Sequence, residues 1–215
     1  MSTTDPVALL RRARQGRPRS ESDELERCEL CSDPIPSEHG HLVDLQRRSL
    51  LCACRGCHLL FAADGAGGAR YRAVPQRYLA LEDVELSSAD WDSLQIPVGV
   101  AFFFYNSGLG RLAAFYPGPA GATESLLPLE GSAITERIAA VGLLPDVEAV
   151  LVRRQPGEGA SECYLVPIDA CYELVGTLRR LWRGFDGGGE ARRAIAEVFA
   201  RIAARSGRPG DGAAR

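Results

Sequence analysis

The chain has 215 residues, room for one ordinary domain plus a small one, because single cores usually occupy roughly 100 to 150 residues. Its 46% apolar and 25% charged content excludes wholesale disorder. Every one of the 25 basic residues is arginine, and against 28 acidic residues they leave a formal charge of −3, which provides no global attraction to a phosphate backbone and argues against nucleic-acid binding as the main task.

Residues 1–27 read as a mobile arm. A short helical stretch at 5–14 is followed by a run of charges, and the apolar residues 6–10 are too few for a secretory signal. A cytoplasmic location is therefore expected, where cysteines stay reduced. Five of the seven cysteines fall between positions 28 and 57, a distribution that suits metal ligation better than a disulfide framework.

Two Cys-x-x-Cys pairs, Cys28 with Cys31 and Cys54 with Cys57, are separated by 22 residues. Each pair predicts a tight turn that aims two thiolates at one ion, and two such turns complete a tetrahedron. Gly56 is expected at a turn position that tolerates positive φ. The intervening residues hold enough apolar side chains for one hairpin, so residues 28–62 resemble a zinc ribbon or treble clef. A segment this small lacks a core of its own, and a structural zinc ion is expected to supply most of its stability. Cys52 leaves one ambiguity, since Cys52-Ala53-Cys54 could shift the ligand set by two residues; the regular pairs are preferred and Cys52 is read as a packed thiol.

All three histidines, His39, His41 and His58, lie in this module. His39 and His41 read either as ligands for a second ion, with His58 or Cys52 assisting and Asp44 orienting an imidazole, or as polar residues that stiffen the module. Nickel, zinc and copper suit such a set.

Residues 62–69 are small and glycine-rich and predict a flexible joint. The connector runs over 63–95, with extended stretches at 71–74 and 78–86 and a short helix around Trp91 capped by Ser88. From residue 96 a mixed α/β domain is expected. Residues 98–105 and 111–116 predict a buried central β-hairpin, 134–143 a helix, and 147–152 and 163–166 further strands joined by a turn at 155–157. Residues 117–125 read as a glycine- and proline-rich loop whose Thr123, Glu124 and Ser125 could cradle a ligand. Asp169 is expected to cap a helix with apolar positions Cys171, Leu174, Val175, Leu178, Leu181 and Trp182, ended by Gly184, and a last helix spans 190–205. These two helices should cover one face of the sheet, and residues 206–215 read as a disordered tail. The fold class expected is thus α+β: a four-cysteine module, then a mixed α/β domain over 96–205.

No complete catalytic constellation emerges. The α/β domain has no histidine for a Ser-His-Asp triad, and neither a phosphate-binding loop nor a nucleophile elbow is present. Cys163 and Cys171 read as core thiols, and Tyr164, Asp169 and Glu173 as shapers of a helix start. A non-enzymatic protein is expected.

Residues 50–58, Leu-Leu-Cys-Ala-Cys-Arg-Gly-Cys-His, resemble the end of zinc-stabilised HNH endonucleases. That resemblance implies His41 as base, and for a nucleic-acid-binding module the charges of Arg47, Arg48 and Arg55 could supply phosphate contacts. The asparagine such nucleases place between the two halves is missing, because the sole asparagine is Asn106, so the likeness implies at most a degenerate nucleic-acid-binding module. Four thiolates also suit iron, which makes rubredoxin-like electron transfer a second alternative. A longer resemblance spans residues 39–44, 51–61, 115–125 and 166–176. These phrases are similar to an actinobacterial family of unknown function whose genes accompany those of nickel–iron uptake hydrogenases. The resemblance implies an accessory or maturation role with a protein partner, such as a hydrogenase subunit or maturation protein. Separately, no stretch approaches the roughly 20 apolar residues of a membrane-spanning helix, so no membrane insertion is expected.

Overall fold

The computed structural model describes residues 26–62, 69–125, 129, 132–154, 161–184 and 187–207. The expected N-terminal helix, most of the glycine-rich joint, the turn at 155–157 and nearly all of the C-terminal tail lie outside these residues.

The four-cysteine module is built on a hairpin, β1 (Gly40–Asp44) and β2 (Ser49–Ala53), followed by the short helix α1 (Arg55–Leu60). Strand β3 (Tyr71–Ala73) pairs with the free side of β1, giving a three-stranded antiparallel sheet of order β2-β1-β3. Period-two alternation divides the side chains of β1 between two faces. Gly40, Leu42 and Asp44 point one way, where Leu42, Ala53, Ile35 and Cys28 form the module's small core. His41 and Val43 point the other way, and Val43 with its cross-strand partner Leu50 packs on the core of the larger domain.

That domain holds a six-stranded antiparallel sheet of order β4-β9-β8-β5-β6-β7. Its members are β4 (Leu79–Ala80), β5 (Val100–Asn106), β6 (Arg111–Gly118), β7 (Gly121–Glu124), β8 (Glu148–Arg154) and β9 (Ser161–Pro167). The β5–β6 hairpin lies inside the sheet as its two-sided apolar sequence requires, with Phe102 and Phe103 fully buried on opposite faces. On the Phe102 face pack α4 (Ile168–Leu181) and α5 (Gly188–Arg205), through Leu174, Leu178, Val198, Phe199 and Ile202. The Phe103 face is covered by α2 (Ser88–Ser93) and α3 (Ala133–Ala140), through Trp91, Ile134 and Ile138. Among the described residues no helix is long and apolar enough to cross a membrane.

Some expectations change in detail. The connector is divided between the two sheets, β3 completing the module and β4 pairing with β9 at the edge of the larger one. Residues 117–125 form no open loop: β6 runs on to Gly118 and turns into β7, with Pro117 opposite Ala122. The lost proline N–H is tolerated because β5 pairs with β6 only as far as Phe115. Ser87, one residue earlier than expected, caps α2 and forms a reciprocal capping box with Asp90. Helix α4 starts after Pro167, which provides no side-chain cap; Asp169 Oδ1 accepts the Ala170 N–H at 2.8 Å, and its Oδ2 is left for another partner.

Module and domain meet along the Val43 face. Arg72 of β3 donates to the carbonyl of Pro145 (2.8 Å) and lies 3.5 Å from the Asp146 carboxylate. Beside this contact, a cavity of about 260 Å³ separates Leu45, Arg48 and Leu50 from Phe104, Phe115 and Tyr172. Behind the interface, Arg77 grips the fully buried Glu148 with two hydrogen bonds of 2.8 and 2.6 Å, and Leu144 N–H donates to the same carboxylate at 2.8 Å.

Candidate metal centre

The first thiolate pair sits on a knuckle. Ser32 adopts a left-handed φ of 65°, so its N–H folds back to the Cys28 carbonyl at 2.8 Å, and Cys28 N–H donates to the Asp33 carbonyl at 2.8 Å. The knuckle is fastened to the outer edge of β2 from both directions: Glu29 N–H donates to the Cys52 carbonyl (2.9 Å), and Cys52 N–H donates to the Glu29 carboxylate (2.7 Å). The second pair opens α1. Cys54 is its N-cap, with a sulfur that accepts the Cys57 N–H at 3.4 Å, and Cys57 occupies the first turn. Gly56 therefore lies within a helix rather than at a positive-φ turn, and Ser32 in the other pair is the residue that takes the left-handed conformation.

Knuckle, hairpin and helix bring the sulfurs of Cys28, Cys31, Cys54 and Cys57 within 4.8 Å of one another, with Cys31 and Cys54 3.6 Å apart. A tetrahedral ion with bonds of about 2.3 Å to sulfur needs sulfur–sulfur edges of about 3.8 Å, so the set can hold a metal ion with little rearrangement. The electrostatics point the same way. Burial opposes ionisation of Cys28, but backbone N–H groups of Cys54, Cys31 and Leu30 outweigh it and bring the thiol down to about 6. Burial and the adjacent thiols push Cys57 up. Four sulfurs at this spacing cannot all carry charge alone, and a cation among them removes the conflict.

The remaining predicted residues divide into two groups. His39, His41 and Cys52 place their ligand atoms within 4.8 Å of one another, in a second cluster separate from the four cysteines. His58 is not among them: its ring lies against Gly40, and Nε2 donates to the Val74 carbonyl at 3.0 Å. Asp44 orients no imidazole either. It sits on the Leu42 face of β1, opposite His41, and binds Arg70 through Nη2 at 2.7 Å and the N–H groups of Gln46 and Arg47 at 3.0 Å. The Arg70 guanidinium and these donors outweigh burial and hold the Asp44 carboxyl down to about 2. The carboxylate that does meet His41 is Asp169, at 2.8 Å from Nδ1 across 128 residues of sequence. No local pattern announces that contact, because it exists only once the module docks on the start of α4.

Cys163 and Cys171 are buried in the α/β domain, as read from the sequence, and desolvation pushes both thiols up. Arg47 is largely exposed, while Arg48 lies against Gly108 at the hairpin tip.

Residues 27–206 match the model of a family of unknown function, DUF5947, and the chain belongs to that family. No curated protein and no solved structure matches it.

Proposed function

For this member of the DUF5947 family, we propose a non-enzymatic accessory role in which a zinc ion held by Cys28, Cys31, Cys54 and Cys57 makes the N-terminal module a rigid docking element for a protein partner. The four-sulfur cluster carries this reading. Thiolates in a closed tetrahedral set suit structural zinc, and such an ion leaves no position for substrate. A second feature supports the partner. Helix α1, which begins at the metal, has no buried residue, and Leu59 and Leu60 are 58% and 64% exposed. Adjacent exposed leucines on a metal-fixed helix suit a partner's apolar groove better than they suit water.

The partner proposed is a subunit or maturation protein of a nickel–iron hydrogenase, on the strength of the family resemblance in residues 39–44, 51–61, 115–125 and 166–176. Capture of tagged full-length protein from cells that make a hydrogenase tests it. Hydrogenase components should be enriched with the native chain and lost with Leu59→Ser/Leu60→Ser. Absence of enrichment, together with normal hydrogenase maturation in a deletion strain, would refute the assignment.

A further inference from the structure

The hairpin that carries the thiolate pairs also assembles a second set of ligands. His41 and Cys52 are direct cross-strand partners in the β1–β2 register. The Cys52 backbone groups point away from β1 to Glu29, and the His41 carbonyl accepts from Val74 N–H on the β3 side. The two residues therefore form a non-hydrogen-bonded pair, the closer kind, with Cα atoms about 4.5 Å apart and side chains on the same face. His39 enters from the segment before β1, and its ring lies 4.8 Å from that of His41.

Each imidazole has one nitrogen committed and one available. A carboxylate and a carbonyl can only accept, so Nδ1 of His41 donates to Asp169 (2.8 Å) and Nδ1 of His39 donates to the Pro36 carbonyl (2.9 Å). Both rings are thereby fixed as tautomers whose Nε2 carries a lone pair. A carbonyl or carboxylate behind a ligating histidine is the usual outer partner of a metal site. Among the described residues, Nε2 of His39 has no hydrogen-bond partner, and it is buried on a side chain only 7% exposed. Leaving such an atom unpaired is costly in a folded protein, and a bound cation removes the cost. The surroundings are anionic as well: Glu26 lies 3.6 Å from His39 Nδ1, Glu29 binds the Cys52 N–H, and Asp169 backs His41.

We propose that His39 Nε2, His41 Nε2 and the Cys52 sulfur form a second metal site, for a borderline divalent ion such as Zn²⁺ or Co²⁺, with Asp169 as the positioning residue. Two imidazoles and one thiolate match the preferences of such ions. Three protein ligands leave the fourth tetrahedral position to water or to a donor from outside the chain. His41 and Cys52 are half-buried rather than sealed, so that position is reachable. The site thus differs in kind from the closed four-cysteine centre: its ion is exchangeable. It also gives a role to the second oxygen of Asp169, at the start of α4: Oδ1 accepts the Ala170 N–H of its own helix at 2.8 Å, while Oδ2 reaches across to His41.

The experiment is a metal titration of the full-length protein with its four-cysteine centre already loaded with zinc. Added Co²⁺ should bind as one further equivalent with tetrahedral visible bands and a sulfur-to-cobalt charge-transfer band. Cys52→Ser should abolish the charge-transfer band, His39→Asn/His41→Asn should abolish the second equivalent, and Asp169→Asn should raise its Kd by about 10- to 100-fold. All variants should keep the first zinc, which reports that the module is still folded. X-ray absorption of the cobalt in the native chain gives a check independent of any substitution, with two nitrogens and one sulfur expected in its shell. Saturation at one ion per chain, survival of the second equivalent in the double histidine variant, or a cobalt shell without sulfur would overturn the proposal. Each of those results leaves the four-cysteine reading intact, whereas a chain that never binds zinc refutes that reading instead.

Discussion

Removal of the metal from the four-cysteine centre should unfold the N-terminal module and leave the six-stranded domain standing. The magnitudes follow from what each part buries. The module's fully buried core has two large aliphatic side chains, Leu42 and Ile35, with the small Ala53 and Cys28, and Leu30, Leu51 and Phe61 pack against it only half-buried. Full burial of a leucine or isoleucine contributes about 1.5 to 3 kcal/mol. Structural zinc supplies on the order of 10 kcal/mol at neutral pH, about two to three times what two buried aliphatic side chains contribute. The larger domain has two extensive clusters on opposite faces of its sheet and needs no ion. Hydrogen exchange read by mass spectrometry, before and after treatment with a strong chelator, tests this directly. Amides of β1, β2 and α1 should lose protection by several orders of magnitude, while those of β5, β8 and α4 change little. Retained protection in β1 and β2 after verified zinc removal would refute the reasoning, since the hairpin would then be held by its packing on the domain alone.

Other outcomes are equally specific. Gly40→Ala would place a Cβ 2.6 Å from His58 Cδ2 and 3.2 Å from its Cβ, so the ring cannot simply swing aside; a loss of about 1 to 3 kcal/mol is expected in urea unfolding, partly recovered in Gly40→Ala/His58→Ala. Glu148→Ala leaves the Leu144 N–H and Arg77 without their shared acceptor, and should cost about 2 to 4 kcal/mol, below the range for a fully sealed pair because the Arg77 side chain is 43% exposed. The Asp44 carboxyl is held down to about 2 by Arg70, so its contribution is complete above its ordinary value near 3.8 and is lost as pH falls through about 2. At pH 7, where the four-cysteine centre keeps its metal, Asp44→Asn and Arg70→Ala should each lower the unfolding midpoint, and the double variant should lose less than the sum; strict additivity would contradict the Arg70 pairing. Leu59→Ser/Leu60→Ser should change stability by less than about 0.5 kcal/mol, because both side chains are already exposed, while abolishing partner capture.

The parts of this structure legible in the sequence are those set by short-range pattern. Cys-x-x-Cys geometry is local, and a hairpin between two such pairs brings them together with few alternatives, which is why all four cysteines converge as expected. The two-sided apolar run over 98–105, buried from Val100 to Phe104, and the three- and four-residue periodicity of α4 likewise encode their own burial. What sequence hides is parity and long-range docking. Asp44 looks like a neighbour of His41, but three residues along a strand place them on opposite faces, and Arg70 takes the carboxylate. Cys52 reads as a packed thiol and does pack against the module's core, but only the register shows that it stands opposite His41. Asp169 reads as a helix cap because nothing within its own segment points to a histidine 128 residues away. The proline at 117 suggests a loop, and only the end of the β5 pairing at Phe115 shows why a strand can continue through it.

The proposed docking element depends most on an ion bonded by the sulfurs of Cys28, Cys31, Cys54 and Cys57 together. X-ray absorption at the zinc edge, on full-length protein carrying one equivalent of zinc, measures that shell. Four sulfurs at about 2.3 Å are expected, with the shell lost in Cys28→Ser/Cys54→Ser. A one-equivalent shell that contains nitrogen, or a chain that purifies and folds without any metal, would contradict it.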